Sequence, residues 1–201
     1  MVVTKITLFN LIILNLSLEG NFYKKMAAFK SFPKLKTQRL TLRRLKETDN
    51  NDIFFLRSDK KVMKYIKRIQ LNSLEEANDF IHRIDTQIME STIFYWAITI
   101  NNNPKLIGTI CLWNFSKDKK TAEIGYDLNP KYHRQGIMNE AMQSVLGFGF
   151  KMINLETIEA FTHKNNNNSI KLLIKNDFTL SKNRKDNKNI NNVIFANKTY
   201  K

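Results

Sequence analysis

The chain has 201 residues and a formal charge of +15, with 33 lysines and arginines against 18 acidic residues. This length predicts about one domain with its own core. The single cysteine, Cys111, excludes a disulfide framework, and the three scattered histidines show no metal-ligand spacing, so we expect no metal. The charge favours anionic partners, but no element interleaves basic with aromatic residues, so we expect no specific nucleic acid.

The first 25 residues differ from the rest. Residues 6–18 are apolar but too short for a membrane span, which needs about 20 residues. No small-x-small cleavage motif follows them. We interpret residues 1–25 as an N-terminal extension upstream of a true start at Met26; a surface helix and a signal peptide are the alternatives. Residues 26–201 are the expected domain, located in the cytoplasm.

Strand and helix patterns alternate in the first half of this domain. Residues 38–44 alternate with period two, which predicts a strand, and Thr48 and Asp49 offer a cap for a helix around residues 53–56. Residues 62–66 continue or follow that helix. Ser73 and Glu76 form a capping-box pattern. The helix behind it has its apolar residues three or four apart: Ala77, Phe80, Ile81, Ile84 and Ile88.

Three strands are predicted next, at residues 94–100, 105–115 and 121–128, the first two joined by a turn at residues 101–104. A helix at 136–153, a strand at 157–162, a short helix at 169–176 and two strands at 178–180 and 193–196 complete the chain. This order predicts a mixed α/β fold, with one layer of sheet covered by helices.

The turn after the third of these strands has the character of a phosphate site. The chain leaves the strand at Pro130 and enters a helix at Gly136. The first N–H groups of a helix have no intrahelical partner and lie at the positive end of its dipole, where a pyrophosphate fits. Gly136 permits close approach of a phosphate, and Lys131 and Arg134 add positive charge. An ordinary strand–turn–helix junction is the alternative.

Six motifs, in order, resemble those of the GNAT acetyltransferase superfamily and of its RimJ/RimL-type branch. They cover most of residues 32–196. They are Thr37-Gln38-Arg39-Leu40-Thr41-Leu42-Arg43, Leu106-Ile107-Gly108-Thr109-Ile110, Ala122-Glu123-Ile124-Gly125-Tyr126-Asp127-Leu128, the segment 132–141, Ile158-Glu159-Ala160, and the segment 166–178.

The resemblance implies a splayed, mostly antiparallel mixed sheet with helices on both faces, and acetyl-CoA as cosubstrate. Acetyl-CoA is expected between the strand that ends at Leu128 and the strand at residues 157–162. The implied contacts are the loop residues His133, Arg134, Gln135, Gly136, Ile137, Met138 and Asn139, the strand residues Tyr126 and Leu128, and Asn166, Ser169 and Leu173. The pantetheine arm is expected to pair with strand backbone, which needs no particular side chains.

The chain departs from the family pattern at four positions. His133 and Met138 stand at the two ends of the phosphate loop, where the family usually has Arg or Gln and Gly or Ala. Asp177 replaces a glycine. Leu173 stands where many relatives carry a tyrosine that protonates the leaving thiolate, so another group or water must do so here.

Acetyl transfer requires a neutral amine, and therefore a base. The candidates are Glu123 and Glu159, each in a strand beside the expected cofactor site. Strand alternation puts Glu123 on one face with Gly125 and Asp127.

The resemblance makes a protein N-terminus of ribosomal-protein type the leading acceptor. A small-molecule amine, a non-catalytic coenzyme A-binding module and a basic RNA-associated protein are the alternatives. We expect a monomer or a homodimer.

Overall fold

The computed structural model describes residues 31–199. The interpretation of residues 1–25, and of Met26 as the start, lies outside the described residues.

The described chain forms an open eight-stranded sheet with five α-helices. The strands are β1 (Leu35–Lys36), β2 (Leu40–Arg43), β3 (Phe94–Ile100), β4 (Leu106–Trp113), β5 (Thr121–Leu128), β6 (Thr157–His163), β7 (Thr179–Leu180) and β8 (Asn192–Lys198). The helices are α1 (Asn50–Ser58), α2 (Lys60–Met63), α3 (Leu74–Met89), α4 (Ile137–Gly147) and α5 (Asn167–Lys175). The strand order is β1-β2-β3-β4-β5-β6-β8-β7, and every pair is antiparallel except β5–β6. The predicted fold class is confirmed.

Two apolar cores cover the two faces of the sheet. The larger one lies on the side of α4 and α5 and contains Trp96, Ile124 and Leu173. The smaller one lies on the side of α1 and α3, where the buried face of α3 meets Tyr95 and Ala97. Successive residues of a strand point to opposite faces, so β3 supplies both cores. Helices on both faces follow from this two-sided burial.

Two of three local predictions need correction. Asp49 does stand at the N-cap of α1, but its carboxylate accepts from the Lys46 N–H and from the Arg43 guanidinium rather than capping the helix. Residues 62–66 follow α1, one of the two alternatives predicted, because α2 is a separate turn capped by Asp59. The Ser73 cap is confirmed, but the Glu76 carboxylate accepts from the Asn72 N–H.

The predicted helix at residues 136–153 is not uniform. The α-helix ends at Gly147 and continues as a π-helix over Phe148–Met152. Phe148 packs edge-on against Phe94, with ring centroids 4.8 Å apart. A Cβ at Gly149 would lie 2.8 Å from Ile158 Cδ1, so the segment approaches β6 closely. Packing against the sheet therefore decides the geometry of this helix end.

We expect replacement by alanine to change the free energy of unfolding in opposite directions at two glycines. A Cβ at Gly108 would lie 2.6 Å from the Asp127 carbonyl oxygen, whereas Gly147 lies in a helix with nothing within 4 Å of such a Cβ. We expect Gly108→Ala to lower the free energy of unfolding by about 1–3 kcal/mol. Gly147→Ala is expected to raise it by about 0.5–1 kcal/mol. Urea denaturation measures both, and equal effects would contradict the close β4–β5 approach.

Candidate active site

The central strands β5 and β6 part in the middle of the sheet. Their parallel pairing joins Thr121 to Thr157, Ala122 to Ile158 and Glu123 to Glu159, and it extends no further within the described chain. Beyond that point β5 continues to Leu128 and β6 to His163. The two strands therefore diverge and leave a wedge between their carboxyl-terminal halves.

Both predicted base candidates lie at the last paired position before the wedge. Directly opposed residues of neighbouring strands share a face, and neighbouring strands lie about 4.8 Å apart. The Asn114 side-chain amide donates to Glu123 Oε1 at 2.5 Å. Glu159 is buried and forms an ion pair with Arg184 from the segment between β7 and β8. Two carboxylates thus lie side by side at the apex of the wedge, where the strands begin to diverge.

The surroundings of Glu123 favour its protonated form. Burial raises the pKa of Glu123 above its ordinary value, and the neighbouring Glu159 charge acts in the same direction. The hydrogen bond from Asn114 opposes both effects by stabilising the carboxylate. A carboxyl group with a raised pKa is a stronger proton acceptor than an exposed glutamate.

The predicted phosphate loop has a backbone suited to anions. Pro130–Tyr132 form one 3-10 turn, and Arg134 and Gly136 adopt left-handed backbone angles with φ of 61° and 75°. Helix α4 begins at Ile137, and no side chain within residues 31–199 caps it. The N–H groups of its first turn therefore have no intrahelical acceptor. Gly136 fits the left-handed angle because it lacks a Cβ.

Side chains of the loop stabilise the turn itself. His133 Nε2 lies 3.0 Å from the Leu128 carbonyl oxygen, and the Gln135 side chain donates to the Lys131 carbonyl at 2.9 Å. Ile137 and Met138 point into the larger core. Met138, which departs from the family pattern, is thus a packing residue, and the loop presents backbone N–H groups.

Hydrogen bonds from residues just before β2 hold the phosphate loop in place, and the sequence did not indicate them. Arg39 donates to the Gln135 carbonyl at 2.9 Å and to Glu140 Oε2 at 2.6 Å, and Thr37 donates to Glu140 Oε1. Burial alone raises the pKa of Glu140, but the hydrogen bonds from Thr37 and Arg39 outweigh it and hold the pKa below its ordinary value. These partners are about one hundred residues apart, so no local pattern reveals them.

Three predicted residues meet on the α5 side of the wedge. The Tyr126 hydroxyl lies 2.8 Å from Ser169 Oγ, and the Asn166 side chain caps α5 by accepting from the Ser169 N–H. Burial raises the pKa of Tyr126 to about 12. Leu173 is fully buried in the larger core, so its side chain packs and cannot replace the tyrosine of the family pattern.

A second interaction that the sequence did not predict is an ion pair on the face of β5 that α1 and α3 cover. Arg68, from the segment between α2 and α3, donates to Asp127 Oδ2 at 2.7 Å and to the Leu56 carbonyl at 2.8 Å. Thr109 donates to the other carboxylate oxygen at 2.6 Å and accepts from Tyr95. The same segment reaches β6, where the ring of Tyr65 lies 5.4 Å from that of His163. The segment between α2 and α3 therefore contacts both of the diverging strands, β5 and β6.

Cys111 lies on the same face of the sheet as Glu123. Burial raises the pKa of its thiol to about 12, so it stays protonated near neutral pH and is a poor nucleophile. Among residues 31–199 no three acidic, histidine or cysteine side chains cluster as a metal site would require. None of the helices formed by these residues is long and apolar enough to cross a membrane.

Sequence comparison decides the family. The model of the acetyltransferase (GNAT) domain family matches residues 39–179. The chain belongs to the GNAT acetyltransferases. This GNAT enzyme is an acyltransferase of the acetyl-CoA-dependent N-acetyltransferase class.

Two curated GNAT relatives are named N-acetyltransferases. The uncharacterized N-acetyltransferase YoaA of Bacillus subtilis (strain 168) is 32% identical over 147 residues, which cover 73% of this chain and 83% of YoaA. The uncharacterized N-acetyltransferase p20 of Bacillus licheniformis is 33% identical over 139 residues, 69% of this chain and 78% of p20.

Solved structures share the GNAT fold at low identity. A ribosomal-protein-S5-alanine acetyltransferase from Vibrio fischeri gives a TM-score of 0.72 at 21% identity, covering 83% of this chain and 96% of that one. RimL, a ribosomal L7/L12 alpha-N-protein acetyltransferase in complex with coenzyme A, gives 0.72 at 18%, covering 83% and 98%. At these identities the likeness shows the fold alone.

The Arg68–Asp127 pair tests the role of the segment beneath β5. Removing Arg68 leaves a buried carboxylate without its charge partner, so we expect Arg68→Leu to lower the free energy of unfolding by about 3–5 kcal/mol. The matched control is Arg44→Leu. It breaks an Arg44–Asp85 pair of the same 2.7 Å length, but one in which both side chains are more exposed. There we expect at most about 1 kcal/mol. Equal losses in urea denaturation would contradict this role.

If Glu123 is the base, its hydrogen bond from Asn114 influences the pH dependence of the acetyl-transfer rate. Asn114→Gly removes the donor without backbone strain, because glycine readily adopts the φ of 48° found there. The pKa of Glu123 then rises further, so the acidic limb of the rate profile moves to higher pH. Asn102→Gly, at φ 63° in the β3–β4 turn, is the control and leaves the profile in place. If the acidic limb of the rate profile stays at the same pH in Asn114→Gly, the ionisation of Glu123 does not control the rate.

Proposed function

We propose that this enzyme transfers the acetyl group of acetyl-CoA to the α-amino group of a protein N-terminus, with Glu123 as the leading base and Glu159 as the second candidate. The observation that carries the proposal is the opposed pair of carboxylates at the point where β5 and β6 part. In this position a base meets any amine that approaches the end of the wedge.

The loop at the start of α4 fits the pyrophosphate of acetyl-CoA. Residues 133–139 would hold the pyrophosphate through the backbone N–H groups of the first helical turn, and Arg134 would add positive charge. Arg39 engages the Gln135 carbonyl and so fixes the loop. From Ile124 to Leu128, the edge of β5 that faces β6 has no strand partner, and it offers backbone groups to the pantetheine arm and a donor to the thioester carbonyl. Acetyl-CoA supplies an acetyl thioester there.

The proposed proton path uses groups of this chain. The amine nitrogen forms a bond to the acetyl carbon, the bond from that carbon to sulfur breaks, and the amine proton passes to Glu123 directly or through water. Tyr126 is a weak acid, because its pKa of about 12 lies above the ordinary thiol value of about 8.5. We therefore assign Tyr126 and Ser169 to hydrogen bonding at the thiol end. The leaving thiolate takes its proton from water.

A protein N-terminus is the better-matched acceptor. An α-amino group has a pKa of about 7.7–8.0, whereas that of a lysine side chain is about 10.4. The α-amino group is nearer in proton affinity to a carboxylate whose pKa is already raised. The ribosomal-protein acetyltransferases among the fold neighbours support the same acceptor class by analogy. The RimJ/RimL-type subclass, the monomer or homodimer, and the cytoplasmic location stay predictions.

The decisive experiment follows release of free thiol from acetyl-CoA across a panel of N-terminal peptides and small amines. We expect turnover with peptides that present a free α-amino group and little with lysine side chains. Turnover on small amines alone would move the acceptor to the small-molecule class. Coenzyme A binding with no turnover on the whole panel would overturn the proposal.

Substitution of the two carboxylates identifies the base. We expect Glu123→Gln to lower kcat/KM about 10²–10⁴-fold and to abolish the acidic limb, with a smaller loss for Glu159→Gln. Glu156→Gln is the matched control, because Glu156 pairs with Lys120 at the closed end of the same strand pair. Unchanged rates and pH profiles in both Glu123→Gln and Glu159→Gln would exclude a direct carboxylate base.

A further inference from the structure

One large apolar side chain beside the carboxylate pair remains open to solvent. Trp113, the last residue of β4, is 45% exposed. It lies directly opposite Glu123 on β5, which lies opposite Glu159 on β6. The three side chains therefore form one row across neighbouring strands, on one face of the sheet. The row runs from an indole to two carboxylates.

The indole is oriented toward the open half of β5. A Cβ built at Gly125 would lie 3.8 Å from Trp113 Nε1, so this nitrogen lies above a residue without a side chain. Gly125 follows Glu123 on the same face, in the direction in which the wedge opens. The indole thus reaches along the face toward the site of transfer, and no larger side chain on β5 blocks it.

A shallow cavity of about 300 Å³ adjoins Trp113 near the end of α3. Its walls include Gln87, Ile93, Trp113 and Asn114. Asn114 also donates to Glu123, so one residue belongs to the cavity wall and to the environment of the candidate base. This volume lies at the lower end of small-ligand pockets and suits a group of one amino-acid side chain.

Trp96 is a structural tryptophan, and its environment differs from that of Trp113. It is fully buried, and its indole N–H donates to the Pro33 carbonyl at 2.7 Å. Within residues 31–199, no hydrogen bond of the Trp113 indole is found. Buried tryptophans usually satisfy their N–H, whereas exposed ones beside a polar site offer an apolar surface and a free donor.

We propose that Trp113 and the adjoining cavity form an acceptor subsite, which binds the apolar group attached to the reacting amine. The inference rests on the proposed function, since it places the amine at Glu123 and Glu159. An indole offers a large apolar area and also attracts an ammonium group through its ring face. The subsite therefore selects acceptors with an aromatic or aliphatic first side chain over those with none.

Four tripeptides with the same two glycines at their carboxyl end test the selection. They carry phenylalanine, leucine, glycine or aspartate at the amino end. We expect kcat/KM to be about tenfold higher for the phenylalanyl than for the glycyl peptide, the range that one apolar contact supplies. Trp113→Ala is expected to remove this ratio through KM of the peptide, whereas Trp113→Phe retains part of it. KM for acetyl-CoA stays unchanged.

The matched control is Met152→Ala, an apolar side chain of similar exposure (53%) in the π-helical segment that follows α4. It is expected to leave the ratio intact. A Trp113→Ala variant that keeps the ratio, or that lowers rates equally for all four peptides, would overturn the subsite.

A binding readout separates this inference from the reaction. Acrylamide quenching of tryptophan fluorescence is measured with coenzyme A present, with and without phenylalanine amide as the probe. We expect the probe to reduce quenching in the wild type and not in Trp113→Phe. Protection without turnover on any peptide leaves the subsite standing and overturns the proposed function. Turnover with no protection and no ratio overturns the subsite alone.

Discussion

The candidate site depends on one interruption of backbone hydrogen bonding between strands. The pairing of β5 with β6 ends at Glu123 and Glu159. An unpaired strand edge leaves backbone groups that must find other partners, and it is also a template for an extended ligand. The edge of β5 that β6 leaves open is therefore where we propose that the pantetheine arm pairs. The same point brings two carboxylates side by side, so the proposed cofactor binding and the proposed proton transfer share one location.

The surrounding elements hold the two arms of the wedge apart and in place. The Arg68–Asp127 pair joins the segment before α3 to β5, and Tyr65 from the same segment meets His163 on β6. On the opposite face, the hydroxyl of Tyr126 reaches Ser169 at the start of α5. Contacts on both faces thus bridge the opening. A site assembled on strands with such bracing is more rigid than one on loops, which suits a reaction that requires aligned groups.

Charge is distributed unevenly in this strongly basic protein. The net charge of +15 favours approach of the anionic cosubstrate. The carboxylate pair places two acidic side chains at the point where β5 and β6 part, which is where the proposed function brings the amine. Arg184 compensates Glu159, whereas Glu123 has an amide as its side-chain partner. This asymmetry separates the two candidates for the base: Glu159 has a charged partner, whereas burial raises the pKa of Glu123 above its ordinary value.

The sequence by itself determined the family, the order of elements, and the bounds of β3 and β5, because strand and helix periodicity and turn residues are local properties. It also placed Glu123 and Glu159 in strands beside the expected cofactor site. Only the tertiary structure decided that they oppose each other at the last rung, that Arg39 clamps the loop at Gln135, and that Leu173 is buried. Strand register and ion pairs between distant residues arise from contacts across the folded chain, and these leave no periodic signal along it. Leu173 is buried because α5 packs against the larger core.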